Sequence, residues 1–393
     1  MQLASIGGQY LVSGAVMFFG ASFVSFYYWE KNYVSRRYYA VSVIILFAVF
    51  ITYGIYRTEI INEKIRQDSH FFTVAALQGN TLVRVAETQD EREDRFKILL
   101  DAAQETITNS NAKPDLIVFP EVSFPQPFSE FCGSLVPVEE ELPQVAEPYN
   151  RADKLVASLQ VPVLFGASFY RYEDTLPPDR FNSALYFTPD NQESFIRYDK
   201  HILVKYGEYV PFSEYLPDNF IEPIISKFDR GQYYAAMYLT TLSYECCFTP
   251  NICLESFIPQ YIRNQVVKLR YKGHDVRMLV NLSCDGWSRF SREIDLHLAA
   301  NVFRAVENGL WHITATEGGL SAIIRPDGVI TAIGNRKEVS VVAGKVYPDA
   351  VLSTINSPTI YQRFGDWYAL LCAGIVFAAV LYRIVRTLTV ISQ

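Results

Sequence analysis

Leu116-Ile-Val-Phe-Pro-Glu121 is a run of four apolar residues stopped by a proline and followed at once by a carboxylate. An apolar run that short, closed by Pro, reads as a β-strand buried on both faces that delivers a glutamate at its C-terminal tip. Outward from it, β-rich apolar runs alternate with amphipathic stretches. Strands are predicted over Phe72 to Gln78, Leu116 to Phe119, Val161 to Phe165, Ala184 to Phe187, Met278 to Leu282, Trp311 to Thr316, Ser321 to Arg325 and Ser340 to Val346. Helices are predicted over Thr88 to Asn109, Tyr149 to Leu159, Ser256 to Lys272 and Glu293 to Glu307. Such alternation predicts a layered α/β domain. No internal repeat at solenoid periods interrupts it. Pro137 to Pro148 and Phe212 to Gln232 read as long loops, either ordinary surface segments or lids and lipid-contacting arms.

The chain has 393 residues, of which 50% are hydrophobic and 20% charged, which argues against wholesale disorder. A formal charge of −7 offers no basic face for a nucleic acid, so none is expected as a partner. Of six cysteines only Cys246 and Cys247 are adjacent, and no Cys-x-x-Cys pair appears, so neither a metal site nor a disulfide framework is expected. The chain has no glycine-rich phosphate loop and no Gly-x-Ser-x-Gly elbow, and no cofactor is expected.

Three apolar runs flank the α/β region. Tyr10 to Trp29 and Tyr38 to Tyr56 are uncharged and long enough to cross a hydrocarbon core, and Trp367 to Tyr382 is extended by Ile384 and Val385 around a snorkelling Arg383. The first run lacks the basic n-region and the cleavage site of a signal peptide, so the spanning reading is preferred. Lys31, Arg36 and Arg37 lie between the first two runs, and Arg383 and Arg386 lie in or after the third. The positive-inside rule puts both groups in the cytoplasm and the intervening region on the periplasmic side of a bacterial inner membrane. The expected organisation is two spans within residues 1–60 (about 10–29 and 38–56), a catalytic domain over 61–365, and a third span with a short cytoplasmic tail over 366–393.

Four stretches put ionisable groups at ends of apolar runs. Glu121 at its strand tip would be partly desolvated and suited to act as a base, or could be an ordinary loop carboxylate. In Tyr198-Asp-Lys-His-Ile-Leu-Val-Lys-Tyr-Gly-Glu-Tyr-Val-Pro-Phe212, Lys200 could stabilise an oxyanion and Glu208 could orient it, whereas a solvated loop is the plainer reading. Cys253, in Asn251-Ile-Cys-Leu-Glu-Ser-Phe-Ile-Pro259, sits just before a predicted helix whose dipole would favour a thiolate. Cys284, in Leu279-Val-Asn-Leu-Ser-Cys-Asp-Gly-Trp287, ends a strand. Local chemistry leaves the choice between the two cysteines open.

Together these stretches resemble the nitrilase superfamily, and within it the apolipoprotein N-acyltransferases. The resemblance runs in order through Val74 to Asn80, Phe119 to Ser123, Tyr198 to Phe212, Asn251 to Pro259, Asn281 to Trp287, Arg304 to Glu307, Thr316 to Gly328 and Tyr361 to Trp367. It implies an αββα sandwich flanked by transmembrane helices. It further implies Glu121 as general base, Lys200 as oxyanion stabiliser and Cys253 as nucleophile, with Glu208, Glu255, Tyr209 and Trp287 as supporting or substrate-binding residues. Cys284 falls where the family has Asn and receives no role. The chain departs from the family in having Leu254 where Tyr follows the nucleophile, in lacking a Trp between Leu82 and Gln89, and in having two spans before the domain where the family has more. A compact or divergent form is therefore expected.

The activity implied is transfer of a fatty acyl chain from a membrane phospholipid, through a Cys thioester, to the N-terminal amine of a diacylglyceryl-cysteine lipoprotein. Phe212 to Tyr215 and Phe124 to Phe131 would be lids over the thioester. Two other readings are a silent relative that binds or assembles lipoprotein-processing partners, and a membrane-tethered amidase that uses water as acceptor.

Overall fold

The computed structural model describes residues 1–27, 33–81, 87–109, 113–132, 137, 142–173, 177–212, 227–241, 244–288 and 291–391. Its strands are β1 (Phe72–Gly79), β2 (Leu116–Val118), β3 (Phe128–Phe131), β4 (Val163–Tyr172), β5 (Asp179–Thr188), β6 (Asn191–Asp199), β7 (Met237–Thr240), β8 (Glu245–Ile252), β9 (Val276–Cys284), β10 (Trp311–Glu317), β11 (Ala322–Ile324), β12 (Ile330–Ile333) and β13 (Ser340–Val346). The helices are α1 (Ala4–Tyr27), α2 (Tyr33–Gln67), α3 (Gln89–Asn109), α4 (Leu142–Leu159), α5 (Pro259–Tyr271), α6 (Glu293–Asn308), α7 (Ile360–Phe364) and α8 (Trp367–Ile391).

The inner strands are apolar at nearly every position because each presents two buried faces. Val74, Ala76, Leu116, Val118 and Leu164 point into one core, while Ala75, Leu77, Ile117, Phe119, Val163 and Phe165 point into another with α3 and α4. The strand path runs β6-β5-β4-β2-β1-β10-β9-β8-β7, with β1, β2 and β4 parallel and β8, β9 and β10 parallel. Its two halves fold back face to face. Tyr186 on β5 meets Phe248 on β8 edge-on at 5.2 Å and donates to the Tyr238 carbonyl on β7. With α3 and α4 over one half, and α5 and α6 over the other, the layers are αββα.

Three helices, Ala4–Tyr27, Arg36–Gln67 and Trp367–Thr387, are long and apolar enough to cross a membrane. Two differ from the expected spans in where they begin or end. α1 starts at Ala4 because its first residues dock on the α/β region, with Ala4 and Ser5 buried and Trp367 Nε1 donating to the Ile6 carbonyl. It then breaks at Gly7 and Gly8, where Gly8 has φ 67° and a Cβ would lie 2.7 Å from the Tyr361 ring. α2 continues past Tyr56 to Gln67, and this extension also docks: Ile61 is buried and Lys64 Nζ reaches the Val351 carbonyl at 2.7 Å.

Other expectations need correcting. Phe124 and Phe128 are not part of a lid, since both are buried in the core beside Phe165. The end of the loop read over Pro137 to Pro148 is helical, because α4 starts at Leu142 and includes Pro148. Pro148, Ala152, Leu155, Val156 and Leu159 share its buried face, and that packing outweighs the hydrogen bond proline removes. The helix expected from Ser256 is divided: a 3-10 turn at Cys253–Phe257 precedes α5. The reading missed β3, β6, β7, β8 and β12; β8 holds Pro250 in its interior.

Gly166 on β4 is required by close approach. An added Cβ would fall 2.4 Å from the Val122 nitrogen and 2.7 Å from the Glu121 Cα, both backbone atoms that cannot swing aside. Gly166→Ala is expected to displace the Glu121 turn and to cost about 1–3 kcal/mol in stability, measured by denaturant unfolding in detergent. Unchanged stability would show that this turn has slack.

Candidate active site

Glu121, Lys200 and Cys253 follow the C-terminal ends of β2, β6 and β8. β6 is antiparallel to β5, and β5 to β4, so β6 ends at the same side of the layer as β2 and β4. Burial there leaves Lys200 1% exposed and Glu121 5% exposed. Lys200 Nζ donates to Glu121 Oε1 at 2.9 Å and to Glu208 Oε1 at 2.8 Å. Burial alone would lower the Lys200 pKa, but Glu121, Cys253 and Glu208 together hold it well above the ordinary lysine range. Asn182 on β5 bridges the same two carboxylates, its Nδ2 lying 2.7 Å from Glu121 and 3.1 Å from Glu208. Glu208 is tied down in turn by the Val204 N–H at 2.8 Å.

Cys253 opens the 3-10 turn with φ 49°, a left-handed conformation that a side chain adopts only when its surroundings impose it. Its thiol pKa is pushed up, first by burial and then by the Glu121 charge, while Lys200 pulls it the other way. The thiol therefore stays protonated at neutral pH, next to a carboxylate able to take its proton and an ammonium able to face an anion. Cys284 is also buried, at the end of β9, with its thiol pushed up by burial and then by Glu121 and Glu317.

Glu255 is fully buried and accepts four hydrogen bonds. One oxygen takes the N–H groups of His201 and Ile202 at 2.7 and 3.2 Å; the other takes the Ile252 N–H and the Tyr198 hydroxyl at 2.8 and 2.6 Å. It thus ties the chain after Lys200 to the residue before Cys253. Tyr209 stacks on Arg230, whose guanidinium is 5.3 Å from the ring. Trp287 lies on a 3-10 turn after β9 and is 58% exposed. The structure thus brings Glu121, Lys200 and Glu208 into direct contact, couples Cys253 to them by charge, and puts Glu255 behind them. Sequence reasoning missed Asn182, whose partner Glu121 is 61 residues away. Among the described residues one group could hold a cation: Asp68, His70 and Asp349 lie with ligand atoms within 4.8 Å of one another, but Asp349 already accepts from the Tyr244 hydroxyl at 2.6 Å.

The family model for carbon-nitrogen hydrolases matches residues 73–355, the whole αββα region. This chain belongs to the carbon-nitrogen hydrolase family. Its fold is the nitrilase fold, as the sequence resemblance implied. Among curated relatives, proteins named apolipoprotein N-acyltransferase are similar to it: one from Rickettsia typhi is 24% identical over 94% of this chain and 66% of its own length. Others are from Borreliella burgdorferi (26% identical, 93% of this chain, 65% of the relative) and Caulobacter vibrioides (29%, 77% and 55%). The chain thus spans about two thirds or less of the length of these relatives. Among solved structures, a mutant amidase of the nitrilase superfamily from Nesterenkonia AN1 is 15% identical, covering 70% of this chain and 90% of its own, with a TM-score of 0.46.

Among the described residues Lys200 is the one cation that contacts both Glu121 and Glu208, so its removal leaves the buried Glu121 and the largely buried Glu208 carboxylates facing each other. Lys200→Met is expected to cost about 3–5 kcal/mol, read by thermal or denaturant unfolding in detergent. A loss below about 1 kcal/mol, the range of an exposed ion pair, would refute this account of the cluster.

Proposed function

We propose that this chain is a membrane-bound N-acyltransferase that moves a fatty acyl group from a phospholipid to the N-terminal amine of a diacylglyceryl-cysteine lipoprotein. The observation that carries the reading is the buried Glu121-Lys200-Glu208 cluster charge-coupled to a thiol on a strained turn. Support comes from relatives named apolipoprotein N-acyltransferase and from the three apolar helices. Exposed aromatics follow the strand ends that carry the site, Tyr206 and Phe212 after Lys200 and Trp287 after β9, with Tyr233 in the loop before β7, as an opening toward lipid would need.

In this mechanism Glu121 takes the Cys253 proton as the sulfur attacks the acyl ester carbon, because the half-buried thiol, its pKa pushed up, does not ionise beforehand. Lys200 faces the oxyanion of the tetrahedral intermediate. Its collapse breaks the carbon–oxygen ester bond, Glu121 returns the proton to the departing lysophospholipid alkoxide, and a thioester remains. The acceptor amine then attacks the thioester, giving its proton to Glu121. The carbon–nitrogen bond forms, the carbon–sulfur bond breaks, and the thiolate regains a proton. Glu208 and Asn182 fix the positions of Lys200 and Glu121, Glu255 holds the turn, and Tyr209 and Trp287 would line the approach.

Both substrates reside in a membrane, which accounts for an anchor at each end of the 61–365 domain. The basic residues Lys31, Arg36, Arg37, Arg383 and Arg386 support an inner-membrane protein with that domain on the periplasmic face.

Incubating the purified protein with phospholipid in detergent and measuring intact mass tests the first half-reaction. Wild type and Cys284→Ala are expected to gain a hydroxylamine-labile fatty-acyl mass, and Cys253→Ala none. A folded wild type with no adduct would overturn the phospholipid-donor reading in favour of the amidase or the silent relative.

A further inference from the structure

His297, on the inner face of α6, is 3% exposed and engaged at both ring nitrogens. Nδ1 lies 2.8 Å from Asp285 Oδ1, just past the end of β9, and Nε2 lies 2.9 Å from Ser256 Oγ in the turn that begins at Cys253. The ring also hydrogen-bonds the Cys253 backbone. Asp285 is itself fixed, its N–H donating to the Glu317 carbonyl and its Oδ1 accepting from Ser283 Oγ at 2.7 Å. The Phe257 ring lies 4.8 Å from the imidazole. Seven residues along α6, Arg304 Nη1 donates to the Ser256 carbonyl at 3.3 Å.

This line of Asp, His and Ser has the connectivity of a hydrolytic triad, but Ser256 is fully buried and its oxygen cannot meet a substrate. What the three residues share is a position behind Cys253. A left-handed non-glycine residue costs of order 1–3 kcal/mol and persists only where its neighbours over-determine it. Glu255 secures the chain before Cys253 through the Ile252 N–H. His297 secures the chain at and after Cys253, through the Cys253 backbone and Ser256.

We propose that Asp285 and His297 are a positioning pair that holds the strained Cys253 turn in its reacting geometry by way of Ser256, without touching substrate. Asp285 fixes the ring orientation, so the Nε2 side is always presented to the turn. Burial alone would lower the His297 pKa, but Asp285 and then Glu121 and the Cys253 backbone raise it, which favours the doubly protonated ring that donates on both sides. On β10, His312 is held below the ordinary histidine range by burial and then by the His297 and Arg304 charges.

The kinetic consequence rests on the acyl-transfer reading, so the test has an arm that does not. In the full-length protein in detergent, single-turnover acylation by phospholipid, alkylation of Cys253 by iodoacetamide and the thermal unfolding midpoint would be measured for His297→Ala, His297→Gln, Ser256→Ala and Asp285→Asn. His297→Ala and Asp285→Asn are expected to slow acylation about 10–100-fold with the half-saturating phospholipid concentration unchanged, the effect of a small misplacement of a reacting group. Cys253 alkylation should slow in the same variants, as the sulfur drifts from Lys200. His297→Gln, which keeps a donor on the Nε2 side, should recover part of both rates, and Ser256→Ala should reproduce part of both losses. Unchanged acylation and alkylation in folded His297→Ala and Ser256→Ala would overturn the proposal. So would losses that follow the unfolding midpoint alone, with no recovery by Gln. If wild type forms no acyl-enzyme, the acyl-transfer reading fails, and Cys253 alkylation still decides whether His297 sets the turn.

Discussion

A lysine ammonium 1% exposed dictates much of this architecture. Burying that charge is tolerable only with opposite charge and hydrogen bonds in place, and no single segment of this chain could supply both. Glu121 comes from the tip of β2, Glu208 from the loop after β6, and Asn182 from the middle of β5. For these to meet at one ammonium, β2, β4, β5 and β6 must keep their register to within a residue. Gly166 enters for the same reason. β4 passes so close to the Glu121 turn that a methyl group has no room.

The same cluster decides what the thiol can do. Burial first, and then the Glu121 charge, oppose a thiolate at Cys253, while Lys200 favours one. Cys253 is therefore held as a thiol, in contrast to cysteines activated as standing thiolates. In the proposed mechanism, proton transfer to Glu121 then belongs to the attack itself, and the ammonium is reserved for charge that develops on the substrate.

Much of the fold was legible because buried strands advertise themselves. Leu116 to Phe119 is a continuous apolar run and Trp311 to Thr316 alternates Trp, Ile and Ala with polar residues, and both are central strands. β6, by contrast, carries Arg197 and Asp199, and β8 carries Pro250, features that ordinarily demote a strand. β6 is held as an edge strand by the hairpin it forms with β5, and β8 lies between its hairpin partner β7 and the parallel β9, pairings that outweigh the local composition. Glu121, Lys200 and Glu208 could be singled out at the ends of apolar runs. Local chemistry left Cys253 and Cys284 level, because both follow apolar runs; resemblance favoured Cys253. The structural distinction is the left-handed φ of Cys253, set by Glu255 and by side chains from elsewhere in the fold. Asn182 and His297 were invisible for a related reason, since their partners lie 61 and 41 residues away.

The helix that backs the nucleophile turn also receives the first membrane segment. Where α1 breaks at Gly7 and Gly8, the Gln9 N–H has lost its place in a continuous helix, and Glu307 on α6 accepts it at 3.0 Å. Burial pushes the Glu307 carboxyl up to about 7 even against the adjacent Arg304, so this contact is made in a nearly dry junction. Arg304 spans the gap, one nitrogen toward Gln9 and Glu307 and another toward the Ser256 carbonyl. α6 thus carries the anchor contact at Glu307, near its C-terminal end, and His297 about three turns earlier. In the proposed acyl transfer both substrates lie in a bilayer, and a helix joined to the first apolar helix at one end and to the Cys253 turn at the other would hold that thiol at a set height above it.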